Sequence, residues 1–405
     1  MDFSFTEEQD ELRKVVRSFL AKHCGDAQVR RPAADPLGHD PVVWRRMAGE
    51  LGLQGLAVPE EYGGSGFGYV DLGIVFEETG RALLCSPYFA TVALAAEALL
   101  RCADEAARCE LLPGIASGET VATLALTEDG GRWDEPGIRL TARESARESA
   151  RETAREPARD STREPARGTA HGSARGAADG GWQLTGVKTY VLDGHLADLL
   201  LVAARTPCGV SLFAVAADAP GLVRTPLPTL DQTRGQARLE FTDTPARLLG
   251  AEGTAWPALE RTLATASVLL AAEQVGGAAA ALDAAVAYAR IREQYGRPIG
   301  SFQGVKHKCA DMLMEIESAR SAAYGGLWAL DADDETETAI AAAIAQAFCS
   351  EAFTKVAGDN IQVHGGIGFT WEHPAHLYLK RAKSSEALLG TPSYHRELLA
   401  ARLGI

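Results

Sequence analysis

The chain has 405 residues, 46% apolar and 23% charged, enough for two or three domains around a large core that needs no staples. A formal net charge of −14 leaves no excess of Lys and Arg for a nucleic-acid surface, although a local basic groove is compatible with it. Seven scattered cysteines form no Cys-x-x-Cys pair, the first helix is acidic and amphipathic, and no 18-residue apolar run occurs; reduced thiols, no membrane span and a cytoplasmic location are expected.

Residues 6 to 23 place Leu12, Val15, Val16, Phe19 and Leu20 on one helical stripe behind Thr6 as N-cap, with acids in the first turn. Helical periodicity recurs at 42–52, 70–83, 90–101 and 104–117, giving an N-terminal α-helical domain over 1–118. The texture then changes to β-branched and apolar runs at 121–127, 182–192, 199–204, 210–215 and 237–241, separated by Gly, Pro and Asp turns. These predict a central β domain, barrel or sandwich, over 119–250. Long Ala- and Leu-rich patterns at 255–293, 301–331, 335–364 and 374–389, with a last helix at 392–403, predict an antiparallel four-helix bundle over 251–405. The fold class is α+β.

From Ala142 to Ala177 the chain repeats with period four, as Ala-Arg-Glu-Ser and its variants, without one large apolar residue. Pro157 and Pro165 interrupt a helix and Gly enters after 167, so the segment reads as a solvated, largely disordered loop between two strands of the β domain.

Five groups of motifs, in order, carry a family resemblance. They are Phe3-Ser4-Phe5-Thr6-Glu7-Glu8-Gln9; Pro59-Glu60-Glu61-Tyr62-Gly63-Gly64 with Glu77-Glu78-Thr79-Gly80-Arg81; Thr127-Glu128 with Leu184-Thr185-Gly186-Val187-Lys188-Thr189-Tyr190; the run from Arg290 through Arg292, Tyr295-Gly296 and Gln303 to Lys306; and Gln362-Val363-His364-Gly365-Gly366-Ile367-Gly368-Phe369. Over nearly everything outside 130–181 the chain resembles the acyl-CoA dehydrogenases. The resemblance implies FAD as cofactor, an acyl thioester on CoA or a carrier protein as substrate, electron-transfer flavoprotein as acceptor, and a homo- or hetero-tetramer.

The chemistry so implied removes a proton from the α carbon of the thioester and a hydride from the β carbon, the hydride passing to flavin N5. An α C–H is a weak acid, so the reaction needs a desolvated carboxylate base, worth roughly 10²- to 10⁴-fold in rate, and donors for the enolate-like oxygen. By the resemblance, Arg292 contacts the FAD pyrophosphate of a neighbouring subunit, where its planar fork suits a phosphate. Gln303 reaches the adenosine portion, and Gln362, His364, Gly365 and Gly366 form the turn over which that dinucleotide lies, where a side chain would block close approach. Thr127 and Tyr190 flank the flavin ring, and Thr391 belongs to the same cofactor site.

The ring side departs from the family pattern. Thr-Glu-Pro-Gly-x-Gly-Ser-Asp is replaced by Thr127-Glu128-Asp129-Gly130-Gly131-Arg132-Trp133-Asp134, and Trp-Ile-Thr by Tyr190-Val191-Leu192. The usual base position falls on Leu389 and the alternative one on Ala266, neither of which takes a proton. Glu386, three residues before Leu389, is the candidate substitute base; Glu260, Glu273 and Glu372 are weaker ones. Three readings follow: a self-sufficient homotetrameric dehydrogenase, a base-lacking subunit of the bacterial heteromeric type known from steroid and other bulky-substrate catabolism, or a flavin oxidase or monooxygenase on the same fold.

Overall fold

Thr6 opens the first helix because its hydroxyl can satisfy a backbone donor that the helix itself leaves orphaned. In the computed structural model, which describes residues 5–25, 29–30, 38–145 and 181–405, Thr6 Oγ1 accepts from the Gln9 N–H (3.2 Å). The Gln9 side chain accepts in turn from the Thr6 N–H (3.1 Å), a capping box at the head of α1 (Glu7–His23). The N-terminal domain continues with α2 (Pro41–Leu51), α3 (Tyr69–Arg81), a helical stretch Phe89–Ala96 running into α4 (Glu97–Arg101), and α5 (Glu105–Ala116). The stretch at 89–96 has π-type rather than the expected α-type hydrogen bonding.

Arg13 and Arg17 of α1 reach Glu77 and Glu78 of α3, with Arg13 Nη1 to Glu77 Oε2 at 2.6 Å and Arg17 Nε to Glu78 Oε2 at 2.8 Å. The Glu-Glu motif is therefore an ionic seam between helices. Close by, α3 crosses the first bundle helix, α6 (Trp256–Ile291), backbone against backbone: a Cβ on Gly80 would lie 1.9 Å from the Glu273 carbonyl oxygen, and one on Gly276 would lie 1.7 Å from that of Glu77. Only glycine permits that crossing.

The central domain comprises β1 (Ala122–Ala125), β2 (Thr141–Glu144), β3 (Trp182–Leu192), β4 (Leu199–Thr206), β5 (Gly209–Ala216), β6 (Leu222–Pro226) and β7 (Gln236–Leu249). Pairings β4–β2, β2–β3, β3–β7, β7–β5 and β5–β4 close a circuit, so the domain is a barrel, with β1 added on β4 and β6 on β7. The head of the four-residue repeat is a strand rather than a loop, since Ala142 is buried and Glu144 pairs with Trp182. The Ser145 N–H donates to the Gly181 carbonyl at 2.6 Å, which bridges the two ends of the insertion. The rest of the repeat, 146–177, lies outside the described residues.

After α6 come a hairpin, β8 (Glu293–Gln294) and β9 (Arg297–Pro298), then α7 (Gln303–Asp331), α8 (Glu335–His364), α9 (Ala375–Ala387) and α10 (Pro392–Leu403). Helices α6 and α8 end where α7 begins, as up-down-up connectivity requires. By length and composition α6 could cross a membrane, but most of its apolar surface is buried in the bundle. All seven cysteines are free thiols.

Barrel and bundle are joined by a buried charge cluster. Arg381 of α9 places Nε 2.8 Å from Asp231 Oδ2 and Nη1 2.6 Å from Glu273 Oε1, while Arg234 places Nη2 2.6 Å from Glu273 Oε2. Asp193, also buried, adjoins them; burial pushes its carboxyl up to about 7 against the pull of Arg234 and Arg381. Removing one partner of such a cluster strands a buried charge. Arg381→Leu is therefore expected to cost about 3–5 kcal/mol in urea denaturation; a loss too small to measure would mean that solvent compensates the carboxylates. Because the folded chain holds the Asp193 proton more tightly than the unfolded one, that group's stabilisation is complete below about pH 4 and is lost as pH rises through 7. The melting-temperature advantage of Asp193→Asn over the wild type should accordingly grow from pH 5 to pH 8, whereas a constant offset would assign the titration elsewhere.

Candidate active site

A cavity of about 650 Å³ lies between the barrel and the C-terminal end of α9, with Thr127, Trp133, Tyr190, Leu230, Lys383 and Leu388 in its wall. Thr127 is buried and spends its hydroxyl proton on the Thr189 carbonyl (2.6 Å). Asp129, where the family pattern has proline, accepts from Thr189 Oγ1 (2.6 Å) and pairs with Arg238 (2.7 Å); these contacts hold its carboxyl below the usual range. Tyr190 sits at φ +60° and is 43% exposed on the cavity wall. A left-handed backbone at so bulky a residue is strained and points to a site whose geometry is imposed from outside the residue. Lys188, between them in sequence, points into the barrel instead, with Nζ 2.8 Å from Glu128 and 2.9 Å from the Leu126 carbonyl; burial pushes its ammonium down to about 8.

Both base positions are aliphatic and sealed. Leu389 is 2% exposed and Ala266 is 0% exposed. The Leu389 carbonyl lies 3.1 Å from Nε2 of His395, whose imidazole burial pushes down to about 4. That ring is neutral near pH 7, with its proton on Nε2 as the donor. Thr391 caps α10, its Oγ1 accepting from the Tyr394 N–H at 3.3 Å.

None of the alternative carboxylates stands at the ring cavity. Glu386 turns onto α8 and accepts from Thr354 Oγ1 (3.0 Å) and Lys383 Nζ (2.8 Å). Glu273 is clamped by Arg234 and Arg381. Glu260 is 3.5 Å from Arg402 in the wall of a second cavity, of about 670 Å³, between the N-terminal domain and the bundle. Glu372 is exposed, beyond the glycine turn.

The remaining expected cofactor residues gather elsewhere, at the end of the bundle where α6 and α8 stop. Arg292 is the C-cap of α6, exposed and without an ion pair among the described residues. The hairpin after it turns on Tyr295 (φ +52°) and Gly296 (φ +77°), the pair of positive φ values that a tight two-residue turn demands. Gln303 is the first residue of α7, which no side chain caps. Gln362, Gly365 and Gly366 are exposed at the end of α8, with Gly365 at φ +64°. A Cβ on Gly304, Gly365 or Gly366 would meet nothing within 4 Å. No described residue crowds those positions, which leaves room there for another molecule. Around them stand Tyr295 (95% exposed), Phe369 (69%) and Trp371 (61%), apolar side chains of the kind that mark an interface.

The two groups of residues fit a flavin unequally. The end surface offers a guanidinium without an ion pair among the described residues, uncapped helix N–H groups and bare glycine backbone, a donor set suited to a pyrophosphate. The ring cavity offers aromatic walls, but its two carboxylates, Asp129 and Asp231, are paired with Arg238 and Arg381, and the threonine hydroxyl of the family pattern is replaced by buried Leu192. Sequence reasoning located the end surface by motif and missed the cluster of Asp231, Arg234 and Arg381. A lone Glu273 within an apolar helix was its one visible signal, since such a charge must have a buried partner.

Family models for the acyl-CoA dehydrogenase N-terminal domain and C-terminal domain match residues 6–119 and 253–404. The acyl-CoA dehydrogenase IpdE2 of Mycobacterium tuberculosis is 34% identical, over 97% of this chain and 95% of its own length; IpdE2 of Mycolicibacterium smegmatis is 31% identical over 98% and 99%. Among solved structures, a chain of the Tcur3481-Tcur3483 steroid ACAD, in a variant form, superposes with a TM-score of 0.81 at 31% identity, covering 98% of both chains. A chain of the ChsE4-ChsE5 complex from Mycobacterium tuberculosis gives 0.83 at 28% identity over 100% and 99%. With its helical domain, barrel and bundle in that order and both terminal domains matched, the chain belongs to the acyl-CoA dehydrogenase family of flavoprotein oxidoreductases acting on acyl-CoA.

Proposed function

We propose that this chain is the base-lacking subunit of a heteromeric acyl-CoA dehydrogenase: it completes the dinucleotide half of an FAD site whose ring half and catalytic carboxylate belong to a different polypeptide. The observation that carries the reading is the contrast between buried Leu389 and Ala266 and the exposed end surface of Arg292, Gln303 and Gly366. The two regions are also far apart. Glu273, which holds the loop at the ring cavity, precedes Arg292 on α6 by about 28 Å of helix, so each belongs to a separate composite site. Two of the similar solved structures, Tcur3481-Tcur3483 and ChsE4-ChsE5, pair two differently named components, which supports a partner polypeptide.

FAD, when bound, supplies the hydride acceptor for α,β-dehydrogenation of an acyl-CoA thioester, and electron-transfer flavoprotein is the acceptor that fits this chemistry. Arg292 would hold the pyrophosphate through its guanidinium N–H donors, and Gln303 and the first N–H groups of α7 would extend the donor row. Gly365 and Gly366 would admit the dinucleotide to their backbone. Arg292 adds a fixed positive charge that opposes the partial negative charge of two converging helix C-termini.

Expressed alone, the chain should purify without stoichiometric flavin, and co-expression with a dehydrogenase-like chain carrying glutamate at the position of Leu389 should bring both flavin absorbance and a larger solution mass. Full flavin content and turnover from the single chain would overturn the reading. In the assembled complex Glu386→Gln is expected to change turnover by less than about twofold; a loss of about 10²-fold or more would make Glu386 the base.

A further inference from the structure

The end surface consists of two backbone segments, the α6 terminus with Arg292 and the turn at Gly365 and Gly366. Gly365 and Gly366 have no side chains to anchor that turn. What lies beneath is a ring stack. Tyr288, whose carbonyl accepts the Arg292 N–H at 2.9 Å, lies one helical turn before that arginine. His364 is the last residue of α8, immediately before Gly365. Their rings stack at 4.4 Å between centroids with planes 28° apart.

The imidazole is held in one orientation. His364 is buried, and its Nδ1 is 2.9 Å from the Asn360 carbonyl oxygen. A carbonyl only accepts, so Nδ1 carries the proton and the tautomer is fixed by the helix itself. A third ring, His373, lies 4.2 Å from His364, and its Nδ1 accepts from the Ala375 N–H at 3.2 Å. Rings from the α6 terminus, the α8 terminus and the segment leading into α9 thus converge under the glycine turn. A stack of this kind is stiff in spacing, because sliding or separating the rings loses both dispersion and quadrupole attraction.

We infer that His364 and Tyr288 are positioning residues for the cofactor: their stack sets the distance between the Arg292 guanidinium and the Gly365-Gly366 backbone, and so the fit of both to one pyrophosphate. This rests on the cofactor reading given under Proposed function. Neither ring needs to touch the dinucleotide. Their effect passes through Arg292, one turn along α6, and through Gly365, the next residue on α8.

The test uses the assembled complex stripped of FAD, with Kd for added FAD read from flavin fluorescence and with mass and melting temperature recorded in parallel. Tyr288→Leu and His364→Leu are each expected to raise Kd by about three- to tenfold, the range of a lost aromatic stack, at unchanged mass. The double variant should be no worse than the weaker single one, because the stack is lost only once. His364→Phe, which keeps a ring, should stay within about threefold of the wild type. Unchanged Kd in both single variants, or multiplying effects in the double variant, would overturn the inference, as would a rise in Kd that appears only with loss of mass. Arg292→Ala separates the two levels of argument. If it leaves Kd unchanged, the cofactor reading itself fails; if it raises Kd while the ring variants do not, only the stack is wrong.

Discussion

Glu273 is shared by two arginines from different parts of the fold, and that single carboxylate fixes how the barrel sits on the bundle. Arg234 comes from the loop before β7 and Arg381 from α9, separated from Glu273 by 39 and 108 residues. Desolvating four charges is expensive, so the cluster is no simple source of stability. Its value is directional. Each pair satisfies its donors and acceptors in one geometry only, whereas an apolar patch of the same size tolerates sliding. The same loop carries Leu230 into the wall of the ring cavity, and α9 runs on from Arg381 to Ala387 in the same wall, with its C-cap Leu388 beside it. Gln346 extends the constraint, donating to the Leu388 carbonyl at 3.1 Å.

The loop at the family's usual base position presents a leucine on a strained backbone. After Ala387 the backbone leaves the helix, Leu388 is extended, and Leu389 takes φ +62°, a left-handed conformation of order 1–3 kcal/mol less favourable for a residue with a Cβ. The conformation is held by packing around the leucine and by the His395 contact to its carbonyl. This is why the three-residue spacing between Glu386 and Leu389 misleads. Residues three apart share a face only within a helix, and the helix stops between these two.

Much of the architecture was legible because it is written locally. The α8 helix begins at Glu335 as expected, since Asp334 accepts from the Glu337 N–H at 3.0 Å as its cap, and its long apolar pattern ends at a glycine. Strands β2 and β6 were not legible: the first falls inside the head of a polar repeat, and the second is mostly exposed, so neither shows apolar alternation. The π-type stretch at 89–96 is buried on every side and carries no periodicity to distinguish it from an ordinary helix. At the site, the exposed end surface was readable because its glycines and arginine lie in two sequence motifs, 290–306 and 362–369. The buried cluster was not, because its partners meet only in three dimensions.

Tyr295 at the hairpin tip, with Phe369 and Trp371 nearby, has a consequence for the economy of the cell. Exposed aromatic side chains of this kind favour being covered, and in the proposed heteromer a copy made in excess of its partner would display the features that chaperones and proteases sort for. In the proposed heteromer, clearance of uncovered copies would then help to balance the supply of the two chains, with the protruding tyrosine as a mark of unassembled product.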